Sequence, residues 1–126
     1  MKSHKDLDVW KDSIFFVRQV YLATAAFPKA EMFSLTNQIR RAAVSIPANI
    51  SEGSARRTTR DMRYFLTVSY ASLNELDTLL IISLELGYLS QDEFNVLNSK
   101  IKRLNAQLSG LLKALNNKII ANRERT

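Results

Sequence analysis

Apolar residues recur at three- and four-residue steps along almost the whole chain, the signature of amphipathic helices. Leu7, Trp10, Ile14, Val17 and Tyr21 mark one face of a first helix, predicted over about 8–25. Phe27-Pro28 ends it, because proline disfavours helix in the residue before it. Leu35, Ile39, Ala42, Ile46 and Ile50 set the inward face of a second helix over about 34–55. Pro47 lies inside it and is expected to free the Ala43 carbonyl, kinking or locally unwinding the helix. Thr58-Thr-Arg-Asp61 has the hydroxyl-then-acid spacing of a capping box and opens a third helix over about 59–86, carrying Met62, Phe65, Ser69, Leu73, Leu76 and Leu80. Gly87 is its left-handed stop. Ser90-Gln-Asp-Glu93 is a second and sharper capping box. It starts a fourth helix over about 91–121, with Phe94, Leu97, Ile101, Leu104, Leu108, Leu111 and Leu115 in strict alternation. The connections are short and no linker divides the chain, so successive helices pack antiparallel. The predicted fold is all-α: a single antiparallel up-and-down four-helix bundle spanning 1–126.

Composition narrows the function. The chain has 126 residues, no cysteine and one histidine, His4. That excludes disulfides, thiolate metal sites and thiol nucleophiles, and leaves almost nothing for a histidine-based metal site or triad. No metal or cofactor is expected. Asp92-Glu93 is the only adjacent acid pair, and the capping box accounts for it. Glu75 and Asp77 point about 200° apart on a helix. No glycine pattern suited to a phosphate loop is present. No catalytic residue emerges, and the reading is non-enzymatic. The charged N-terminal segment lacks a signal peptide's apolar run, and no uninterrupted apolar stretch approaches a membrane span. A cytoplasmic protein without membrane contact is expected.

Two helices are too apolar for a lone bundle. The face of the second helix opposite its core stripe carries Asn37, Val44, Ala48, Ser51 and Ala55, where a solvated helix shows Lys and Glu. Tyr64 to Asn74 in the third helix has no charge at all. Both helices are therefore expected to bury a second face in a homo-oligomer, with Val44, Ala48, Ala55 and Tyr70 at the interface.

Eighteen Lys and Arg against twelve Asp and Glu give a net charge of +6, and the topology decides where it sits. The N-terminus, second turn and C-terminus share one pole. There Lys2, Lys5, Arg56, Arg57, Arg60, Arg63, Lys113, Lys118, Arg123 and Arg125 face Asp6, Asp8, Glu52, Asp61 and Glu124, a net +5. At the other pole Lys29 faces Glu31, Asp77, Glu85, Asp92 and Glu93, a net −4. In a cyclic oligomer the basic poles form one multivalent surface suited to phosphate backbones. Tyr64, beside Arg63, suits stacking on an unpaired base. Macrodipole stabilisation explains Lys118, Arg123 and Arg125 without a ligand, but not Arg60 and Arg63 at a helix N-terminus.

The run Gln38-Ile-Arg-Arg-Ala-Ala-Val-Ser-Ile-Pro-Ala-Asn-Ile-Ser-Glu-Gly53 resembles the signature of the bacterial 23S ribosomal RNA intervening-sequence proteins. These look related to the accessory variability determinants of diversity-generating retroelements. Phe27-Pro28 followed by Glu31, the Arg56-Arg57 pair and Ser72-Leu-Asn-Glu-Leu76 fit the same pattern in order, from about Leu7 to Leu89. The resemblance implies a homopentameric ring, nucleic-acid (RNA or DNA) association and, in the retroelement relatives, partnership with a reverse transcriptase. By that analogy Arg40, Arg41, Ser45, Pro47, Asn49, Glu52 and Gly53 are signature positions. Arg40 and Arg41 join the candidate nucleic-acid-binding set; Ser45, Pro47, Asn49, Glu52 and Gly53 read as structural. Asn49 and Glu52 either satisfy backbone groups freed by Pro47 or pair with a neighbouring subunit's Arg40 or Arg41. Ser69-Tyr70-Ala71 stands where the family often shows Ala-Arg-Gly, which removes one cation from the third helix. Ser51 stands where alanine is usual. The alternative to nucleic-acid binding is a purely structural oligomeric scaffold.

Overall fold

The computed structural model describes residues 3–125 and contains four α-helices and no strand among them. They are α1 (Asp8–Thr24), α2 (Leu35–Ser54), α3 (Thr59–Glu85) and α4 (Gln91–Arg125), with short 3₁₀ turns at His4–Asp6 and Lys29–Glu31. Each helix packs on its chain neighbours, α1 also packs on α4, and the diagonal pairs stay apart. That is the arrangement of an up-and-down bundle. Phe27 of the first turn meets Tyr88 of the third with ring centroids 5.4 Å apart, so these two turns share a pole. Arg63 at the start of α3 donates to Asn116 near the end of α4, placing the second turn and the C-terminal region at the opposite pole.

The helix ends follow local chemistry. Ser90 and Glu93 form a reciprocal capping box: the Glu93 N–H donates to Ser90 Oγ at 3.1 Å, and the Ser90 N–H donates to Glu93 Oε1 at 2.9 Å. Those bonds hold the Glu93 carboxyl below its ordinary pKa. At Thr58 the hydroxyl accepts from the Asp61 N–H. Gly87 takes φ +77°, and the Tyr88 N–H returns to the Ser83 carbonyl, closing α3 with a Schellman-type cap.

The core confirms the predicted stripes of α2 and α3 and corrects that of α1. Ile39, Ala42, Ile46 and Ile50 are buried in α2, and Ser69, Leu73, Leu76 and Leu80 in α3. In α1 the buried row is Val9, Ser13, Phe16, Val20 and Thr24. Of the expected row, Leu7, Trp10 and Val17 pack partly buried against the core, whereas Ile14 and Tyr21 are exposed. The hydroxyls in the buried row are satisfied within the helix, Ser13 Oγ donating to the Trp10 carbonyl and Thr24 Oγ1 to the Val20 carbonyl. Their burial costs little, and their small size lets neighbouring helices approach.

Close approach is most pronounced between α2 and α3. A Cβ on Gly53 would stand 3.2 Å from the Met62 carbonyl oxygen and 3.2 Å from Phe65 Cβ. Ser69 Oγ donates to the Ile46 carbonyl, and Ser45 and Ser72 hydroxyls bond each other across the seam. Asn49 Nδ2 donates to both the carbonyl and the hydroxyl of Ser45. These side-chain bonds brace α2 around Pro47, which is buried. The helix runs unbroken from Leu35 to Ser54, so the expected unwinding does not occur. α3 is long and apolar enough to cross a membrane by length and composition alone; in the bundle its buried row faces α2 and α4.

Candidate nucleic-acid interface

The α2–α3 turn and the last turns of α4 enclose an open hollow of about 430 Å³ lined by Arg57, Thr58, Thr59, Arg60, Ile119, Asn122 and Arg123. Three arginines border it, and no carboxylate does among the described side chains. Arg57 and Arg60 are exposed and make no ion pair or hydrogen bond with the chain among the described residues. Arg60 stands in the first turn of α3, where the helix dipole disfavours cations, while Arg57 lies in the turn between the Ala55 C-cap of α2 and the Thr58 N-cap of α3. Local stability therefore gives no reason for Arg60.

The remaining cations divide by position. Arg56 pairs with Glu52 one turn earlier and lies over the Phe65 ring, 4.6 Å from its centroid. Arg63 is half-buried and tied to Asn116. Lys118 is exposed on α4; the Arg125 side chain lies outside the described residues. Tyr64 is 63% exposed on the outer row of α3, one turn after Arg60.

Arg40 and Arg41 do not belong to this pole. They sit in the second turn of α2, with Arg40 sixteen residues before Arg56, about 24 Å away along the helix axis. Arg40 Nε donates to Thr24 Oγ1 at 3.0 Å, and its guanidinium lies 4.5 Å over the Tyr21 ring. Arg41 projects from the outer face between two shallow hollows, sharing one with Tyr21, Met32 and Val44 and the other with Ser72 and Glu75. The expected charge dipole is thus softened at its negative end.

The signature positions resolve into structural roles. Gly53 permits the close approach of α2 and α3. Ser45 and Asn49 tie α2 to itself and to Ser72, bonding the Ser45 carbonyl rather than that of Ala43. Glu52 pairs with Arg56 of its own chain. Tyr70, expected at the interface, is half-buried and packs on the core of its own bundle, its hydroxyl accepting from Asn105 of α4. Hydrogen bonding by Asn105 and Ser109 draws that hydroxyl below its ordinary pKa. Val44, Ala48 and Ala55 do face outwards. Sequence reasoning missed a larger exposed apolar surface: Ile14, Phe15, Tyr21 and Leu22 on α1, with Met32 and Phe33 in the following turn. Phe33 is 93% exposed. Asn122, Thr58 and Thr59 of the basic hollow were also missed, since uncharged polar residues at helix ends read as caps. No cluster of three or more His, Cys, Asp or Glu side chains suited to a metal occurs among the described residues.

Fold and charge define a small helical-bundle protein with a basic hollow at one pole and no assembled catalytic group among the described residues. Residues 5–110 match the 23S rRNA-intervening sequence protein family model, and the chain belongs to that family. A protein of unknown function from the S23 ribosomal protein family of Bacteroides thetaiotaomicron shares the fold, with a TM-score of 0.76 and 24% identity over 83% of this chain and 98% of that one. No curated protein is similar enough to match.

Proposed function

We propose that this protein is a non-catalytic accessory protein that binds nucleic acid through its basic pole, as a homo-oligomer. The observation that carries the reading is the hollow bordered by Arg57, Arg60 and Arg123, with no carboxylate among the described side chains that line it. Two of those cations, Arg57 and Arg60, have no partner in the chain among the described residues, and Arg60 opposes the dipole of α3. Guanidinium groups without partners are suited to phosphate, which they bind with bidentate charge-assisted bonds. The family's description, 23S rRNA-intervening sequence protein, is compatible with a polyanionic partner.

Oligomerisation is supported by outward-facing Val44, Ala48 and Ala55 and by the exposed apolar residues of α1 and the first turn. A ring, pentameric by family resemblance, would align the basic poles and multiply weak phosphate contacts. Anisotropy with labelled RNA and DNA tests the reading. Arg57→Ala with Arg60→Ala weakens binding at low salt regardless of base sequence, and Arg40→Ala with Arg41→Ala leaves it nearly unchanged. The reverse pattern would move the site to the other end of the bundle. An oligomer that binds no nucleic acid at low salt would instead be a structural scaffold.

A further inference from the structure

We infer that the basic pole takes an unpaired nucleic-acid strand rather than a duplex, with Tyr64 as the platform on which a base stacks. This rests on the polyanion reading above and adds the strandedness of the ligand. Tyr64 is the large aromatic exposed at this pole. Its ring stands edge-on to Phe65, centroids 5.1 Å apart and planes at 84°. Phe65 is in turn covered by the Arg56 guanidinium, which Glu52 holds. The chain thus builds a short ladder, Glu52–Arg56–Phe65–Tyr64, whose last rung is turned to solvent. A T-shaped contact occupies one edge or face of the tyrosine ring and leaves the other face free for a flat partner.

The surroundings fix what that partner is. Arg60 precedes Tyr64 by one helical turn on the same outward row, so their Cβ atoms lie about 5–6 Å apart. From Arg60 the hollow continues to Arg57 and Arg123. A base seated on Tyr64 therefore has cations beside it for its flanking phosphates, the pairing of aromatic platform and basic track that single-strand binders use. A duplex keeps its base faces stacked on each other, so it engages the cations alone and gains nothing from the ring. Isolated exposed aromatics are ordinary on protein surfaces; this one is held in place by its neighbours and set beside a hollow lined by Arg57, Arg60 and Arg123.

The test uses the full-length chain and anisotropy with labelled oligo(U), oligo(dT) and a hairpin duplex of matched phosphate number, at fixed low salt. Both single strands are expected to bind about tenfold tighter than the duplex, and Tyr64→Ala to remove about tenfold from single-strand affinity alone, the low end of what one stacked base contributes. Tyr64→Phe retains the preference, and circular dichroism checks that each variant stays folded. Equal single-strand and duplex affinity, or Tyr64→Ala without effect, overturns the inference; if Arg57→Ala with Arg60→Ala still weakens binding, the polyanion reading survives it. Absence of binding by all three probes overturns both.

Discussion

The same substitution, glycine to alanine, has opposite consequences at two helical positions of this bundle. Within a helix, alanine is favoured over glycine by roughly 0.5–1 kcal/mol, because it loses less backbone freedom on folding. Gly110 in α4 has nothing within 4 Å of where a Cβ would be placed, so Gly110→Ala is predicted to realise that gain. At Gly53 the Cβ would meet the Met62 carbonyl oxygen and Phe65 Cβ, each at 3.2 Å. Both belong to the α3 backbone or its first side-chain atom and cannot rotate away. α2 and α3 must separate by a few tenths of an ångström along their most extensive seam, where Ser45–Ser72 and Ser69–Ile46 bonds hold them. Overpacking of this kind costs about 1–3 kcal/mol, which exceeds the propensity gain and leaves Gly53→Ala destabilised by about 1 kcal/mol or somewhat more. Urea denaturation at one fixed protein concentration reads both, since an oligomer's midpoint depends on concentration. The predicted thermal shifts are about 4 °C in opposite directions. A Gly53→Ala variant as stable as Gly110→Ala would refute the close-approach reading of the signature glycine.

Three further outcomes follow from the geometry. Ser90→Ala removes the reciprocal cap of α4 and is expected to cost about 1 kcal/mol in chemical denaturation, whereas Thr59→Ala, one residue inside the α3 cap, costs less. In Asp12, burial raises the carboxyl pKa, but hydrogen bonds from Gln107 and Arg103 and the charges of Arg103 and Lys100 outweigh it, leaving a net lowering. A folded-state pKa below the unfolded one gives stability that is present above the unfolded value and lost as pH falls through the folded one. Asp12→Asn should thus flatten the acid limb of stability below about pH 5 and cost under about 1 kcal/mol at neutral pH, since the pair is solvent-exposed. An acid limb identical to wild type would remove Asp12 from the α1–α4 seam. Light scattering should show a multimer that Phe33→Asp with Val44→Asp weakens; a wild-type monomer would refute the oligomeric reading of the outward apolar faces.

The helices and their order were legible because period and punctuation agree: both hydroxyl caps form, reciprocally at Ser90 and Glu93, and Gly87 adopts the left-handed stop. α2 was legible in its main row, Ile39, Ala42, Ile46 and Ile50, while buried Thr36, Ala43, Pro47 and Gly53 lie outside the predicted stripe. α1 was legible only in part. It has two rows of comparable attraction, and hydropathy favours Leu7/Trp10/Ile14/Val17/Tyr21 over a row containing Ser13 and Thr24. The fold buries the second because those hydroxyls bond their own helix, a compensation no hydropathy pattern records. Tyr70 was only partly legible: its uncharged helix face points to a partner subunit, and no pattern records the bond its hydroxyl accepts from Asn105 across the α3–α4 seam. The basic pole could be read because topology alone brings the second turn and the C-terminus together. Arg40 and Arg41 entered the candidate set by motif, and motif proximity in sequence does not survive the rise of a helix. Pro47 is held in an unbroken helix surrounded by the bonds of Ser45, Asn49 and Ser69, partners that lie one turn away or on another helix.

The measurement that bears most directly on the central claim is the salt dependence of RNA and DNA binding, for wild type and for Arg57→Ala with Arg60→Ala. Log affinity against log salt falls with a slope of about −0.9 per phosphate engaged on a duplex and about −0.7 on a single strand. About six phosphates across neighbouring poles give slopes near −5 and −4 respectively. The double variant should be shallower by about one for each phosphate that an engaged subunit no longer neutralises. A slope near zero, or one unchanged by the double substitution, would contradict a phosphate-binding role for this pole.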